Sequence, residues 1–164
     1  MPNAAAQSPT THAGGCFCGA VRYTMGGGPM FINCCHCRDC QKQTGAAFAI
    51  NGFIERDRIE LTAGQPAPHP MKTGSGHPHI IYRCDACGSS VWSDYGDRKV
   101  MIFLRMATLD DPAPFAPDAH IFTRSKLPWV VLTPGAPAFD VYYDMATQWP
   151  TESLARRAAL NLPR

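Results

Sequence analysis

No stretch of the chain approaches the roughly eighteen uninterrupted apolar residues of a membrane-spanning helix, and its apolar strings, such as Val100 to Leu104, are strand length. No membrane partner is expected. An excess of one charge is missing too: 15 Lys+Arg face 13 Asp+Glu, a formal charge of +2, where a nucleic-acid-binding domain shows a clustered basic excess. No nucleic-acid partner is expected either. A 45% hydrophobic and 10% aromatic content excludes disorder and low complexity for the bulk of the chain. Met1 to Ala13 lack a basic start and an apolar core of about seven residues, so no secretory signal is expected. The setting expected is a reducing cytoplasm, where thiols stay free or bind metal instead of pairing.

With 164 residues the chain suits one domain. Glycine (14) and proline (15) together make up about 18% of it, which favours turns and short strands over long helices. Strand-like runs lie at Ala20 to Thr24, Ala47 to Ile54, Arg58 to Thr62, His79 to Cys84, Lys99 to Met106 and Ala119 to Thr123. Helical signal is confined to Cys37 to Thr44, closed by Gly45, and Glu152 to Leu160, which Thr151 could cap. The second should pack Leu154, Ala158 and Leu162 inward. Gln65 to Pro70, Asp111 to Pro117 and Pro134 to Pro137 read as connections within the domain. The expected organisation is a flexible tail over 1–13, a mainly β domain over 14–145 and a helical extension over 146–164.

The eight cysteines fall into three clusters: Cys16/Cys18, Cys34/Cys35/Cys37/Cys40 and Cys84/Cys87. Thiols at spacings of two and three residues suit tetrahedral zinc, with about 2.3 Å from metal to sulfur, better than disulfides, which need Cα atoms about 4.4–6.8 Å apart. Cys16-x-Cys18-Gly19 and Cys84-x-x-Cys87-Gly88 look like two halves of one closed, structural zinc site. Cys35-x-Cys37-x-x-Cys40 offers three ligands and leaves the fourth position open, the pattern of a catalytic metal. Cys34 or His36 could close that site instead, making it structural. Strand alternation turns Cys34 to the opposite face as a small buried residue, and places His36 away from both neighbours, exposed or hydrogen-bonded.

Three stretches together resemble the glutathione-dependent formaldehyde-activating enzyme family, which includes the centromere protein V group. They are Gly15-Cys16-x-Cys18-Gly19-Ala20-Val21-Arg22-Tyr23, Cys35-His36-Cys37-Arg38-x-Cys40-Gln41-Lys42-x-Thr44-Gly45 and Arg83-Cys84-x-x-Cys87-Gly88-Ser89. Leu109-Asp110-Asp111-Pro112, Asp118-x-His120-Ile121-Phe122-Thr123 and Pro137-x-Phe139 extend the likeness, which spans roughly Gly14 to Phe139. The resemblance implies a compact all-β zinc fold of several coiled antiparallel sheets with few short helices and two zinc ions per chain. Cys16, Cys18, Cys84 and Cys87 would hold the structural ion; Cys35, Cys37 and Cys40 the catalytic one. It further implies a carbon–sulfur lyase that joins glutathione and formaldehyde into S-hydroxymethylglutathione, so the expected partners are a small thiol and an aldehyde.

An anionic thiol such as glutathione needs cations near the metal, and Arg38 and Lys42 are the nearest in sequence. His77 and His79 flank Pro78 and are expected in a loop. Two other readings use the same residues: a non-enzymatic zinc module presenting Trp129-Val130-Val131-Leu132 to a protein partner, and a redox protein cycling Cys37 and Cys40. Trp92, Trp129 and Trp149 read as core or cover.

Overall fold

The computed structural model describes residues 10–162. In chain order its elements are β1 (Thr11–Gly15), β2 (Arg22–Gly26), β3 (Phe31–Cys35), α1 (Arg38–Thr44), β4 (Ala49–Glu55), β5 (Ile59–Ala63), β6 (Ala67–Met71), β7 (His79–Arg83), β8 (Ser90–Tyr95), β9 (Met101–Arg105), β10 (Ala119–Ile121), α2 (Met145–Gln148) and α3 (Thr151–Ala159). The strands form a three-stranded sheet, β1-β2-β5, and a seven-stranded one, β10-β3-β4-β9-β8-β7-β6. The chain is mainly β, as its glycine, proline and short alternating runs indicate. All strand pairs are antiparallel except β10 with β3, which run parallel. Hairpins force antiparallel neighbours; β10 arrives after a long excursion and is free of that constraint.

Strand alternation divides the large sheet into two faces. Ile32, Ile54, Ile102, Leu104 and Trp92 pack against Tyr23, Met25 and Ile59 of the small sheet and Val21 just before β2. On the other face Phe31, Phe53 and Met101 meet Ala119, Ile121, Tyr143 and Trp149 from the C-terminal third. Trp149 stacks on Phe31 with ring centroids 5.4 Å apart, and its Nε1 donates to Tyr143 Oη over 3.0 Å. The C-terminal segment covers only part of this face. The remainder is the floor of a cleft.

Four strands escaped sequence inspection. Thr11 to Ala13, expected in the tail, belong to β1 and pair with β2; residues 1–9 of that tail lie outside the described residues. β3 is buried at all five positions, so it shows no alternation. β8 is likewise buried at its four central positions. β6 falls in the stretch expected to be a connection, and tolerates Pro68 and Pro70 because it is a sheet edge, where a missing N–H breaks no ladder.

α1 ends as expected at left-handed Gly45 (φ 66°), whose amide returns to Gln41 O over 2.9 Å. At α3, Thr151 does not cap: Pro150 occupies that position and Thr151 is the first helical residue. Leu154 and Leu162 pack inward, whereas Ala158 is exposed. The boundary expected after residue 145 falls inside α2, and Tyr143 and Trp149 on either side of it share one core. No described helix is long and apolar enough to cross a membrane.

Candidate metal centres and cleft

Two hairpins meet to gather the first four thiols: Cys16 and Cys18 follow β1, Cys84 and Cys87 follow β7. Their sulfurs lie within 4.8 Å of one another, with Cys16–Cys18 at 3.6 Å and Cys18–Cys84 at 3.8 Å. A tetrahedron with bonds of about 2.3 Å has sulfur–sulfur edges of about 3.8 Å, so the donor set fits zinc. Gly19 (φ 78°) and Gly88 (φ 74°) take the left-handed turn that brings each pair together. The Val21 amide donates to Cys16 Sγ over 3.2 Å, and hydrogen bonds from the Ser89 side chain and amide draw Cys87 down to about 5. Such bonds suit thiolates.

The second set is built by the transition from β3 into α1. Cys35 ends the strand, Cys37 caps the helix by accepting the Cys40 amide over 3.3 Å, and Cys40 lies in the first turn. Their sulfurs also lie within 4.8 Å of one another. Hydrogen bonds from Cys35 and then Cys40 hold Cys37 far below the ordinary thiol range, while Cys35 is pushed up by the same sharing. Three soft donors with one of them readily anionic fit a zinc ion, and all three line the cleft. Gln41, buried in α1, donates to His36 O (2.7 Å) and Ser125 O (2.9 Å), clamping the cysteine loop to the segment after β10. All eight cysteines are free.

A third cluster, Cys34, His36 and His120, has ligand atoms equally close, and all three residues are buried. Hydrogen bonding disqualifies it as a metal site. The Thr133 amide donates to His120 Nε2 over 3.1 Å, so the proton of a neutral His120 sits on Nδ1 and is donated to His36 Nε2 at 3.0 Å. Neither ring then has a free lone pair facing the cluster. Cys34 is buried and His36 hydrogen-bonded, as expected; the alternative of an exposed His36 is ruled out.

The cleft, of about 800 Å³, is within the range of small-molecule sites. Phe53, Tyr95, Phe103, Phe122 and Tyr142 give it aromatic walls, and Arg38, Arg98, Arg105 and Arg124 give it cations. Lys42, expected beside Arg38, is exposed and does not line it: at i+4 it follows Arg38 on the same side of α1 but one turn further along the helix. Arg105 is buried on the floor, donating to Asn51 Oδ1 and Gln43 Oε1 and feeling the Cys40 and Cys35 sulfurs. A charge inside the otherwise apolar run Met101 to Met106 was its signal in the sequence. Arg98 and Arg124 had none. His77 lies in a loop, as expected, but His79 opens β7; both pack against Tyr95 in the cleft, and burial and then Arg105 press His79 down to about 4. Trp92 and Trp149 are buried and Trp129 is exposed.

The model of the family described as glutathione-dependent formaldehyde-activating enzyme matches residues 11–125. A Halomonas elongata protein provisionally named a glutathione-dependent formaldehyde-activating enzyme is 28% identical over 125 residues, covering 71% of this chain and 78% of that protein. The crystal structure of a Rhodobacter sphaeroides protein aligns with a TM-score of 0.44 at 16% identity, over 77% of this chain and 98% of that one.

Proposed function

Because the chain belongs to the glutathione-dependent formaldehyde-activating enzyme family, we propose that it is a zinc-dependent carbon–sulfur lyase that joins glutathione, or a similar small thiol, to formaldehyde or a related aldehyde. The observation that carries this reading is the contrast between the two thiol sets. Four sulfurs close on one another between hairpins, whereas three converge at the wall of an 800 Å³ cleft with their fourth side toward it.

Cys16, Cys18, Cys84 and Cys87 would hold a structural zinc, and Cys35, Cys37 and Cys40 a catalytic one, two per chain. The latter supplies Lewis acidity and a place for thiolate when bound. The thiol sulfur adds to the aldehyde carbon, the C=O π pair moves to oxygen, and oxygen takes up the proton lost by the thiol. The chain's own residues hold the reactants together. Arg38 and Arg124, at the cleft margin, receive substrate carboxylates in place of the Lys42 contact. Arg105 sets positive charge beneath the cysteine sulfurs, and the aromatic walls exclude water from the adduct. The free thiols accord with a reducing cytoplasmic setting.

The test is formation of S-hydroxymethylglutathione from glutathione and formaldehyde by zinc-loaded protein. A rate above that of the uncatalysed mixture, abolished in Cys40→Ser, is expected; a rate equal to the uncatalysed one overturns the substrate claim. A second reading, a zinc-stabilised module for a protein partner, draws on Trp129 and Val131, which are 71% and 90% exposed. It predicts that three-cysteine variants change nothing but metal content.

A further inference from the structure

The turn from β8 into β9 carries one arginine into the cleft at a conformational cost. Gly96 (φ 83°) and Asp97 (φ 53°), in the five residues that join β8 to β9, are left-handed. Lys99 (φ 55°) is left-handed as well, and the Val100 amide folds back to Arg98 O over 2.5 Å around it. Two of these left-handed residues, Asp97 and Lys99, are not glycine, and side chains resist that conformation. Asp94, 4% exposed, holds it in place: its Oδ1 accepts the Arg98 amide (2.8 Å) and its Oδ2 the Lys99 amide (3.0 Å).

Both oxygens of Asp94 are therefore committed to backbone, and the Arg98 guanidinium is left over. It lies 5.9 Å from the centre of the Phe103 ring, half-buried in the cleft wall, and no ion pair engages it among the described residues. Burial and the neighbouring Arg157 both work against its charge. A half-buried cation without a counter-ion, aimed by a strained turn, is completed by an anion. Phe103 and Arg105 are two residues apart on β9, about 7 Å of strand, and Arg105 is the residue beside Cys40. Arg98 and the three cysteines line one cleft beside neighbouring positions along β9, so a thiol whose carboxylate lies several bonds from its sulfur can reach both.

We propose that Arg98 is a further carboxylate clamp of the cleft, deeper than Arg38 and Arg124 and less exposed than either, gripping the end of the thiol substrate remote from sulfur and so selecting carboxylate-bearing thiols over small neutral ones, with Asp94 as the residue that positions it. This rests on the thiol-binding reading of the cleft.

The experiment compares wild type with Arg98→Gln and Arg98→Lys, each checked for unchanged zinc content and far-ultraviolet circular dichroism. S-methylglutathione, whose sulfur is blocked, is titrated calorimetrically into the zinc-loaded proteins, and KM and kcat are measured for glutathione and 2-mercaptoethanol. Loss of one charge-assisted pair should weaken S-methylglutathione binding and raise KM for glutathione by about 10–100-fold, with a much smaller change in kcat and partial recovery in Arg98→Lys. Equal binding by wild type and Arg98→Gln, or an equal rise in KM for 2-mercaptoethanol, overturns the clamp while leaving glutathione as substrate. If wild type neither binds S-methylglutathione nor turns over glutathione, the glutathione reading fails, and mercaptosuccinate decides the clamp. Binding by wild type but not by Arg98→Gln upholds it; no difference removes it.

Discussion

Glu55, at the end of β4, accepts two hydrogen bonds from Arg156 of α3, at 2.8 Å from Nε and 2.6 Å from Nη2. The same guanidinium donates to Gly28 O over 3.0 Å, so one side chain fastens the last helix to the large sheet and to the loop before β3. Glu55 is 7% exposed, and Arg58 at 3.3 Å is its only other ion-pair partner among the described residues. Arg156→Ala should therefore destabilise the protein by about 2 kcal/mol, below the full value for a buried pair because Arg156 is partly exposed and Arg58 remains. Urea unfolding at neutral pH measures it.

Acid should weaken the fold in two stages with the same sign. His79 is held at about 4, below its ordinary value near 6.5, so the unfolded chain binds the extra proton and stability falls as pH drops from about 6.5 through 4. For Glu55, burial acts to raise the pKa but the Arg156 hydrogen bonds and charge outweigh it, leaving it lowered; its contribution is present above about 4.5 and lost below. His79→Asn should lose less stability than wild type between pH 7 and 5, and Glu55→Gln should differ from wild type in slope only below that range.

A chelator should distinguish the two thiol sets. Four thiols joining two hairpins make a closed site, whereas three leave a side open to the cleft, so mild chelation should release about one zinc per chain early and the second only with unfolding. Zinc analysis alongside circular dichroism follows both events.

Cysteine variants should separate in the same way. Cys18→Ser or Cys87→Ser breaks the join between the hairpins and should cost several kcal/mol, enough to threaten folding of a marginally stable domain. Cys40→Ser should keep the circular dichroism of wild type and retain one zinc. Its addition rate should fall to that of the uncatalysed mixture.

The His36–His120 pair makes a different prediction. Cys34→Ala should leave zinc content unchanged, because the protons on the two rings already exclude a metal there. His120→Phe should destabilise by about 1–3 kcal/mol, since it strands the Thr133 amide and the His36 ring without partners. Zinc analysis and urea unfolding read the two outcomes.

What could be read before folding was chemistry carried by short spacing. Cys16/Cys18, Cys35/Cys37/Cys40 and Cys84/Cys87 declare their pairings locally because a metal ligand set needs turns of two or three residues, and Gly19, Gly45 and Gly88 mark where the backbone turns. Alternating runs such as Arg58 to Thr62 announced half-buried strands. β3 stayed hidden because full burial erases alternation, and β6 because two prolines disguise an edge strand. Arg98 and Arg124 could not be recognised as cleft residues, and Arg105 stood out only as a charge in an apolar run, since arginines scattered over the chain converge only when β9, the β8–β9 turn and the segment after β10 close around α1.

The sequence by itself determined that the chain is mainly β and which thiols cluster within each turn, because backbone propensity and ligand spacing act over a few residues. Only the tertiary structure decided that Lys42 stands outside the cleft, that His36 and His120 share a proton instead of a metal, and that the C-terminal segment leaves part of one sheet face uncovered. Each of those depends on how surfaces distant along the chain are brought together by burial, which no local spacing encodes.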